Sequence, residues 1–167
     1  MTRRRVFIGL GSNVGPRLQR LRRAVRALGE LPDTRVLRRS SVYVTSPVGP
    51  RQSDFLNAVV ELRTDLDPQA LIDHLKAAEQ RLGRRPRGRW LPREIDLDLL
   101  FYGEERRRTR RLTVPHPRWR NRKFVLEPLA EIAPRFRDPA TGRTVQFYRR
   151  KLTAPDQRIR LHRDPHL

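Results

Sequence analysis

A chain of 167 residues without cysteine excludes disulfide frameworks, thiolate catalysis and cysteine-based zinc sites, and its length lets it bury a core without such staples. Hydrophobic residues (37%) barely outnumber charged ones (34%), but they cluster in runs such as Val6-Phe7-Ile8 and Ala58-Val59-Val60, which excludes a disordered polycation despite the formal charge of +20. No run reaches the ~18 apolar residues of a membrane span and MTRRRVFIGLG lacks the apolar core of a leader, so a cytoplasmic protein with no membrane partner is expected.

Residues 6–10, apolar and partly β-branched, predict a first strand. Over 16–28, Leu18, Leu21, Val25 and Leu28 recur at helical spacing, with Pro16 suited to the first turn and Gly29 to the stop. Alternation around Val42 and Val44 predicts a second strand over 36–45, and an apolar centre predicts a third over 55–64, with a Pro/Gly loop at 46–54 between them. Asp67 is the predicted N-cap of a second helix: Pro68 sits in its first turn, Leu71, Leu75, Ala78 and Leu82 form its stripe, and Gly83 ends it. A basic loop then leads to a fourth strand over 95–101.

This order, βαββαβ, is the split βαβ pattern of ferredoxin-like folds: an α+β class whose antiparallel sheet carries helices on one face. Beyond it, 112–117 reads as extended and 124–132 as a short helix interrupted at Pro128. Residues 1–136 are read as the domain. Residues 137–167, basic and poor in large apolar side chains, are read as a peripheral extension and not an independent domain.

The stretch RWLPREIDLDLLF at 89–101 places Asp96 and Asp98 two apart, so in a strand they share one face while Ile95, Leu97 and Leu99 take the other. Adjacent like charges repel and burial adds a desolvation cost, so the pair persists only beside cations. Magnesium is one candidate: it is held by one or two carboxylates with phosphate and water, and an Asp-x-Asp strand can set a carboxylate between two ions about 4 Å apart. The other is ordinary pairing of a solvated face with the chain's arginines. Arg84, Arg85, Arg87, Arg89 and Arg93 in the preceding loop put phosphate-gripping forks beside the acids, and Trp90 offers either a cover for a planar ligand or a loop anchor. Spacing alone leaves both readings open.

Gly9-Leu10-Gly11-Ser12-Asn13-Val14-Gly15 follows a strand and precedes a helix, yet its glycines run G-x-G-x-x-x-G, one residue too long for a dinucleotide fingerprint. No G-x-x-x-x-G-K-[ST] loop occurs either. These glycines are read as turn formers, with Asn13 at the edge of a site.

Taken together, GLGSNVG, the segment SVYVTSPVGP at 41–50, FLNAVVEL, EQRLGR, RWLPREIDLDLL and LTVPHPRWRNRKFVLEPLAEIAP resemble, in order, the 6-hydroxymethyl-7,8-dihydropterin pyrophosphokinases of folate biosynthesis, over residues 6–134. The resemblance implies transfer of pyrophosphate from ATP to the pterin hydroxymethyl group, with release of AMP and use of two Mg²⁺ ions. It implies Asp96 and Asp98 as metal ligands and Arg84 and Arg93 as loop arginines stabilising charge during transfer. Asp98 becomes the nearest acceptor for the hydroxyl proton. For the pterin it implies Thr45, Pro47, Val48, Phe55 and Asn57, with Trp90 closing over the ring and Phe124 facing it; aromatic faces can sandwich a pterin while an amide reads its edge. For the nucleotide it implies Arg84, Arg93, Leu99, Arg111, Thr113, His116 and Arg122, with Lys76 a weaker match. His116 is then a phosphate or ribose donor, not a base. Glu79 either orients an arginine or serves as a cap or surface ion-pair partner.

Three departures stand out. Leu91 occupies a position where the family usually has Gly, residues 83–90 form a loop about one residue short, and the tail is unusually basic. Of 38 Lys plus Arg only Lys76, Lys123 and Lys151 are lysine, a bias that points to coding composition more than to a site. The charge still draws nucleic acid nonspecifically at low salt. The alternative function, a basic ferredoxin-like nucleic-acid-binding module, calls for RNP-type sheet aromatics that the chain lacks. A monomer acting on the small-molecule substrates ATP and hydroxymethyl dihydropterin is expected.

Overall fold

The computed structural model describes residues 4–88 and 90–167. In chain order they form β1 (Arg4–Ser12), α1 (Arg17–Gly29), β2 (Thr34–Arg39), β3 (Tyr43–Thr45), β4 (Phe55–Thr64), α2 (Pro68–Arg81), β5 (Asp96–Tyr102), β6 (Arg107–Arg108), β7 (Thr113–Val114), a 3₁₀ turn (Trp119–Asn121), α3 (Lys123–Ile132), α4 (Val145–Lys151) and β8 (Ile159–Leu161). The main sheet runs β5-β1-β4-β3-β8 with β2 also on β4, all neighbours antiparallel. A ferredoxin-like core is present, as its element order predicts.

Alternation sorts the strands into two faces. Val6, Ile8 and Leu10 of β1, Leu56, Val60 and Leu62 of β4, and Leu97 and Leu99 of β5 meet Leu21, Val25 and Leu28 of α1 and Leu71, Leu75 and Ala78 of α2. The Asp67 carboxylate accepts from the Gln69 and Ala70 N–H groups at 3.0 and 3.1 Å and so starts α2, and Gly83 follows its end with φ +92°. On the opposite face Phe7, Val59, Leu100 and Phe101 pack under Trp119, Val125, Leu126, Leu129 and Val145. Helices therefore cover both faces, not one, although α3 and α4 cover only part of theirs.

The register of β5 on β1 shifts between Phe7↔Phe101 and Ile8↔Leu99, leaving Leu100 without a counterpart. This bulge turns Leu100 and Phe101 toward the same cluster. Ahead of it Asp96 and Asp98 keep the parity of Leu100, opposite Leu97 and Leu99.

Four sequence expectations change. The strand expected over 36–45 is two strands, because the Ser40 hydroxyl accepts the Val59 N–H at 2.9 Å and occupies a position a ladder carbonyl would take. Pro128 does not interrupt α3, which runs through it: Val125, Leu126, Leu129 and Ala130 bury around it and hold the helix despite the missing donor. Gly9 and Gly11 lie inside β1 and form no turn. The residues after 137 are not peripheral: Val145 and Asp138 are fully buried, the Asp138 carboxylate accepts from Arg120, the Ala140 N–H and the Thr141 hydroxyl, and β8 joins the sheet beside β3.

Candidate active site

The helix layer of α3 and α4 leaves part of its sheet face open, and there the strand register builds a floor. Gly9 lies opposite Asp98 on one side and Val59 on the other; Gly11 lies opposite Asp96 and Asn57. Acids and amide thus flank two residues without side chains. Above this bare strip lies a cavity of about 270 Å³. Its lining includes Thr45, Val48, Phe55, Asn57, Trp90, Arg93, Asp96, Asp98, His116, Arg122 and Phe124.

On the β4 side, Asn57 Nδ2 donates to Thr45 Oγ1 at 2.6 Å, which fixes the amide with Oδ1 toward Gly11; a Cβ there would stand 2.7 Å from it. Phe55 and Phe124 line the same space from β4 and from the first turn of α3, and the Arg122 guanidinium lies 5.3 Å from the Phe124 ring centroid. Trp90 covers the entrance. Its φ of +65° is a left-handed backbone that bulky residues rarely adopt. The ring lies so close to Gly49 that a Cβ there would stand 2.7 Å from it, and Arg118 lies 6.0 Å from its centroid. Pro47 does not line the cavity.

On the β5 side, Arg84 Nη1 reaches Asp96 Oδ1 at 2.7 Å and Glu79 Oε2 at 2.5 Å, while Arg93 Nη1 reaches Asp96 Oδ2 at 2.6 Å. Both loop arginines thus converge on one carboxylate. Burial, and after it the Asp98 charge, push the Asp96 carboxyl up against the pull of Arg93 and Arg84; burial likewise raises Asp98 against Arg122, Arg93 and Arg84. Glu79, buried on α2, also accepts the Leu97 N–H at 2.7 Å, and its desolvation raises its pKa to about 7 despite the bonds from Leu97 and Arg84. Of the two roles read for Glu79, the geometry is that of an arginine-orienting residue.

A second cavity, of about 250 Å³, adjoins the first through Arg93, Asp96 and Asp98, and is lined also by Lys76, Arg84, Leu99 and Thr113. His116 sits at the first cavity with its N–H bonded to the Leu100 carbonyl at 2.8 Å and Nδ1 accepting from the Arg118 N–H at 3.1 Å. The neutral ring therefore carries its proton on Nε2. Burial, then the Arg122 and Arg118 charges, lower its pKa to about 4. Arg111 is exposed and lines neither cavity. Arg87 pairs with the buried Glu94 at 2.8 Å and Arg85 offers Glu94 its N–H at 3.4 Å, so neither is among the residues at the acids. Arg89 lies outside the described residues.

The structure adds Gln52, which the sequence reading passed over, and joins it to Asn13, which that reading set at the edge of a site. Gln52 donates to the Trp90 carbonyl at 3.0 Å and accepts from Asn13 Nδ2 at 2.8 Å; Asn13 Oδ1 in turn accepts the Arg93 N–H at 2.7 Å. Asn13 is buried, and it ties together the turn after β1, the 46–54 loop and the arginine loop. Its flanking glycines were the available signal: Gly9 and Gly11 alternate with apolar Leu10 as Asp96 and Asp98 alternate with Leu97. Among the described residues no three His, Cys, Asp or Glu side chains gather as a metal cluster. Two carboxylates on one strand face suit a hard cation that takes its remaining ligands from phosphate and water.

A family model described as 7,8-dihydro-6-hydroxymethylpterin-pyrophosphokinase matches residues 7–134. The 2-amino-4-hydroxy-6-hydroxymethyldihydropteridine pyrophosphokinase of Synechocystis is 46% identical over 138 residues, covering 83% of this chain and 71% of that protein. Its namesake from Bacillus subtilis is 45% identical, covering 81% and 82%. Among solved structures, a crystal structure of Plasmodium falciparum HPPK-DHPS superposes with a TM-score of 0.72 at 13% identity, over 89% of this chain and 43% of that longer one. At that identity the likeness speaks for the fold alone, and the chain spans less than half of the protein compared.

Proposed function

The chain belongs to the 7,8-dihydro-6-hydroxymethylpterin-pyrophosphokinase family, and on that premise we propose that it transfers the pyrophosphoryl unit of ATP to the hydroxymethyl oxygen of 6-hydroxymethyl-7,8-dihydropterin in folate biosynthesis, releasing AMP. The observation that carries this reading is the cross-strand row Asp96–Gly11–Asn57, which puts a carboxylate and a fixed amide on either side of a bare floor in one cleft.

The pterin enters between Phe55 and Phe124, with its polar edge on Asn57 and Thr45 and with Trp90 and Val48 at the mouth. Pro47 shapes the loop behind Val48. The triphosphate runs from the second cavity, past Lys76, Leu99 and Thr113, toward the acids. Arg84, Arg93 and Arg122 neutralise it. His116, with its Nε2–H free of the Arg118 contact, donates to a phosphate or ribose oxygen. Arg111 reaches the nucleotide from its exposed position.

Asp96 and Asp98 would hold Mg²⁺, two ions being expected, and the metal when bound would neutralise phosphate oxygens and orient the alcohol for in-line attack. The chain's own residues do the rest. Arg84 and Arg93 each bring one guanidinium nitrogen to Asp96, and a guanidinium fork can pair with two phosphoryl oxygens as it pairs with a carboxylate. Exchanging Asp96 for phosphate places both guanidinium groups on the transferred unit while freeing the carboxylate. Asp98 is the acceptor nearest the alcohol proton. Glu79 holds Arg84 in reach during the exchange.

Incubation with ATP, Mg²⁺ and the hydroxymethyl pterin tests the reading: AMP and the pterin pyrophosphate are expected, and ADP would move the protein to ordinary kinases. The nucleic-acid-binding alternative finds no support, since much of the sheet face it would use is packed under α3 and α4. No helix among the described residues is long and apolar enough to cross a membrane.

A further inference from the structure

The two side walls of the cleft are fastened together by a segment outside the 7–134 family match. Helix α3, which carries Phe124, begins behind Arg122, and Arg122 makes no side-chain capping bond. A helix start without a cap leaves backbone N–H groups in need of acceptors. Gln157, 34 residues beyond Lys123, supplies one: its Oε1 accepts the Lys123 N–H at 2.8 Å, and its Nε2 donates to the Asn121 carbonyl at 2.9 Å. One amide thereby spans the junction between the 3₁₀ turn and α3.

The next residue holds the opposite wall. The Ser46 N–H donates to the Arg158 carbonyl at 3.0 Å, and the Arg158 N–H donates to Ser46 Oγ at 3.0 Å. From there β8 pairs with β3, setting Ile159 opposite Thr45, and Thr45 is opposite Phe55. Two consecutive residues therefore grip the start of the Phe124 helix and the end of the strand beside Phe55.

We propose that Gln157 is a positioning residue of the pterin subsite: it caps α3 in place of a local side chain and, with the Ser46–Arg158 pair, sets the gap between the Phe124 wall and the Phe55–Thr45 wall. The inference rests on the pterin reading of the cleft. Gln157 lines neither cavity, so its effect passes through the placement of α3. An acceptor at this position is the part that matters most, because a partly buried backbone N–H left without a partner loosens a helix start.

The test uses the full chain as wild type, Gln157→Ala and Gln157→Glu, the last keeping the acceptor and placing negative charge at a helix N-terminus, where it is favoured. Pterin affinity is measured by calorimetry with a nonhydrolysable ATP analogue and Mg²⁺, steady-state constants are measured for both substrates, and hydrogen exchange is followed at amides 123–125. In Gln157→Ala the pterin Kd rises about fivefold, as expected for loss of one cap, KM for pterin moves more than KM for ATP, and exchange at 123–125 accelerates. Gln157→Glu, which keeps the acceptor for the Lys123 N–H but cannot donate to the Asn121 carbonyl, recovers part of the affinity. A lowered melting temperature with unchanged pterin Kd would make Gln157 merely structural, and unchanged exchange at 123–125 would remove the cap; either overturns the proposal. Wild type that binds no pterin sinks the reading of the cleft and this inference with it, and that outcome is seen before any variant is compared.

Discussion

Gly11 and Asn57 face each other across the β1–β4 ladder so closely that a Cβ on Gly11 would stand 2.7 Å from Asn57 Oδ1. The amide cannot simply swing away, since its Nδ2 is bonded to the buried Thr45 hydroxyl at 2.6 Å. Gly11→Ala is therefore expected to displace the amide proposed to read the pterin edge. The cost in stability should stay in the overpacking range of about 1–3 kcal/mol, because the methyl also meets the open cleft. KM for pterin should rise by an order of magnitude or more, while ATP binding, read by calorimetry, stays near normal. A Gly11→Ala protein with wild-type pterin affinity would show that Asn57 does not read the ligand.

Asp96 and Asp98 differ in what they touch, so their amide variants should differ in stability. Each replacement removes a proposed metal ligand and on that reading should lower kcat by about two to three orders of magnitude at saturating Mg²⁺. Asp98 forms no ion pair within 4 Å among the described residues, and burial raises its pKa, which means that its charge costs folding free energy at neutral pH. Asp98→Asn should hold or raise the melting temperature of the metal-free protein. Asp96→Asn, which deprives Arg84 and Arg93 of a shared partner, should not raise it. Thermal melts with and without Mg²⁺ decide between them, and a clear fall for Asp98→Asn would place that carboxylate in a structural role.

Much of this site could be read before any coordinates. The two-residue period of a strand puts Asp96 with Asp98 and against Leu97, and Asp67 with Pro68 announces a helix through its own side-chain chemistry. What escaped depends on partners distant in sequence. Ser40 breaks a strand only because Val59 presents an N–H to its hydroxyl, and no local pattern carries that. Gly9 and Gly11 precede a helix, as turn glycines do; their function appears only when Asp98 and Asp96 are set opposite them. Residues 159–161 are too short to announce a strand, and β3 recruits them. The tail's few apolar side chains were misleading because Val145 is fully buried against the sheet, Tyr148 and Leu152 pack beside it, and Asp138 adds polar bonds.

Gln52 offers a test of how the arginine loop is held. Its amide links Asn13 to the Trp90 carbonyl, and no other side chain among the described residues is hydrogen-bonded to that carbonyl. Gln52→Ala should leave the fold intact, since the side chain is only partly buried and lies outside both hydrophobic clusters, and should lose about 1 kcal/mol of loop order. Trypsin, which can cut after Arg84 and Arg87 in this loop but not between Arg85 and Pro86, should then cut residues 84–93 about fivefold faster in the ligand-free protein, with cut sites mapped by mass spectrometry. Pterin with an ATP analogue should restore protection. An unchanged cutting rate would mean that Asn13 and Arg93, joined by the Asn13 N–H to the Arg93 carbonyl at 3.0 Å and by the Arg93 N–H to Asn13 Oδ1 at 2.7 Å, hold the loop without Gln52.

His116 supplies a pH dependence whose sign is fixed by its surroundings. Burial, reinforced by Arg122 and Arg118, holds its pKa near 4 in the folded protein, below the ordinary value of 6.5. Above 6.5 the ring is neutral in both folded and unfolded chains, and the stability that goes with the neutral ring is fully present. As pH falls from 6.5 toward 4 the unfolded chain takes up a proton that the native site refuses, so this stability is lost across that window and the slope vanishes below it. Urea unfolding of wild type and His116→Gln between pH 4 and 7.5 should show a steeper decline for the wild type, and parallel curves would contradict the depressed pKa. The same neutrality predicts that kcat/KM for ATP between pH 6 and 8 carries no step belonging to His116, because in the free protein the ring stays neutral and keeps its Nε2–H throughout that range. A bound polyphosphate supplies the negative charge that Arg122 and Arg118 lack, so the imidazole pKa should move upward on ATP binding, which NMR titration of the ring protons would register.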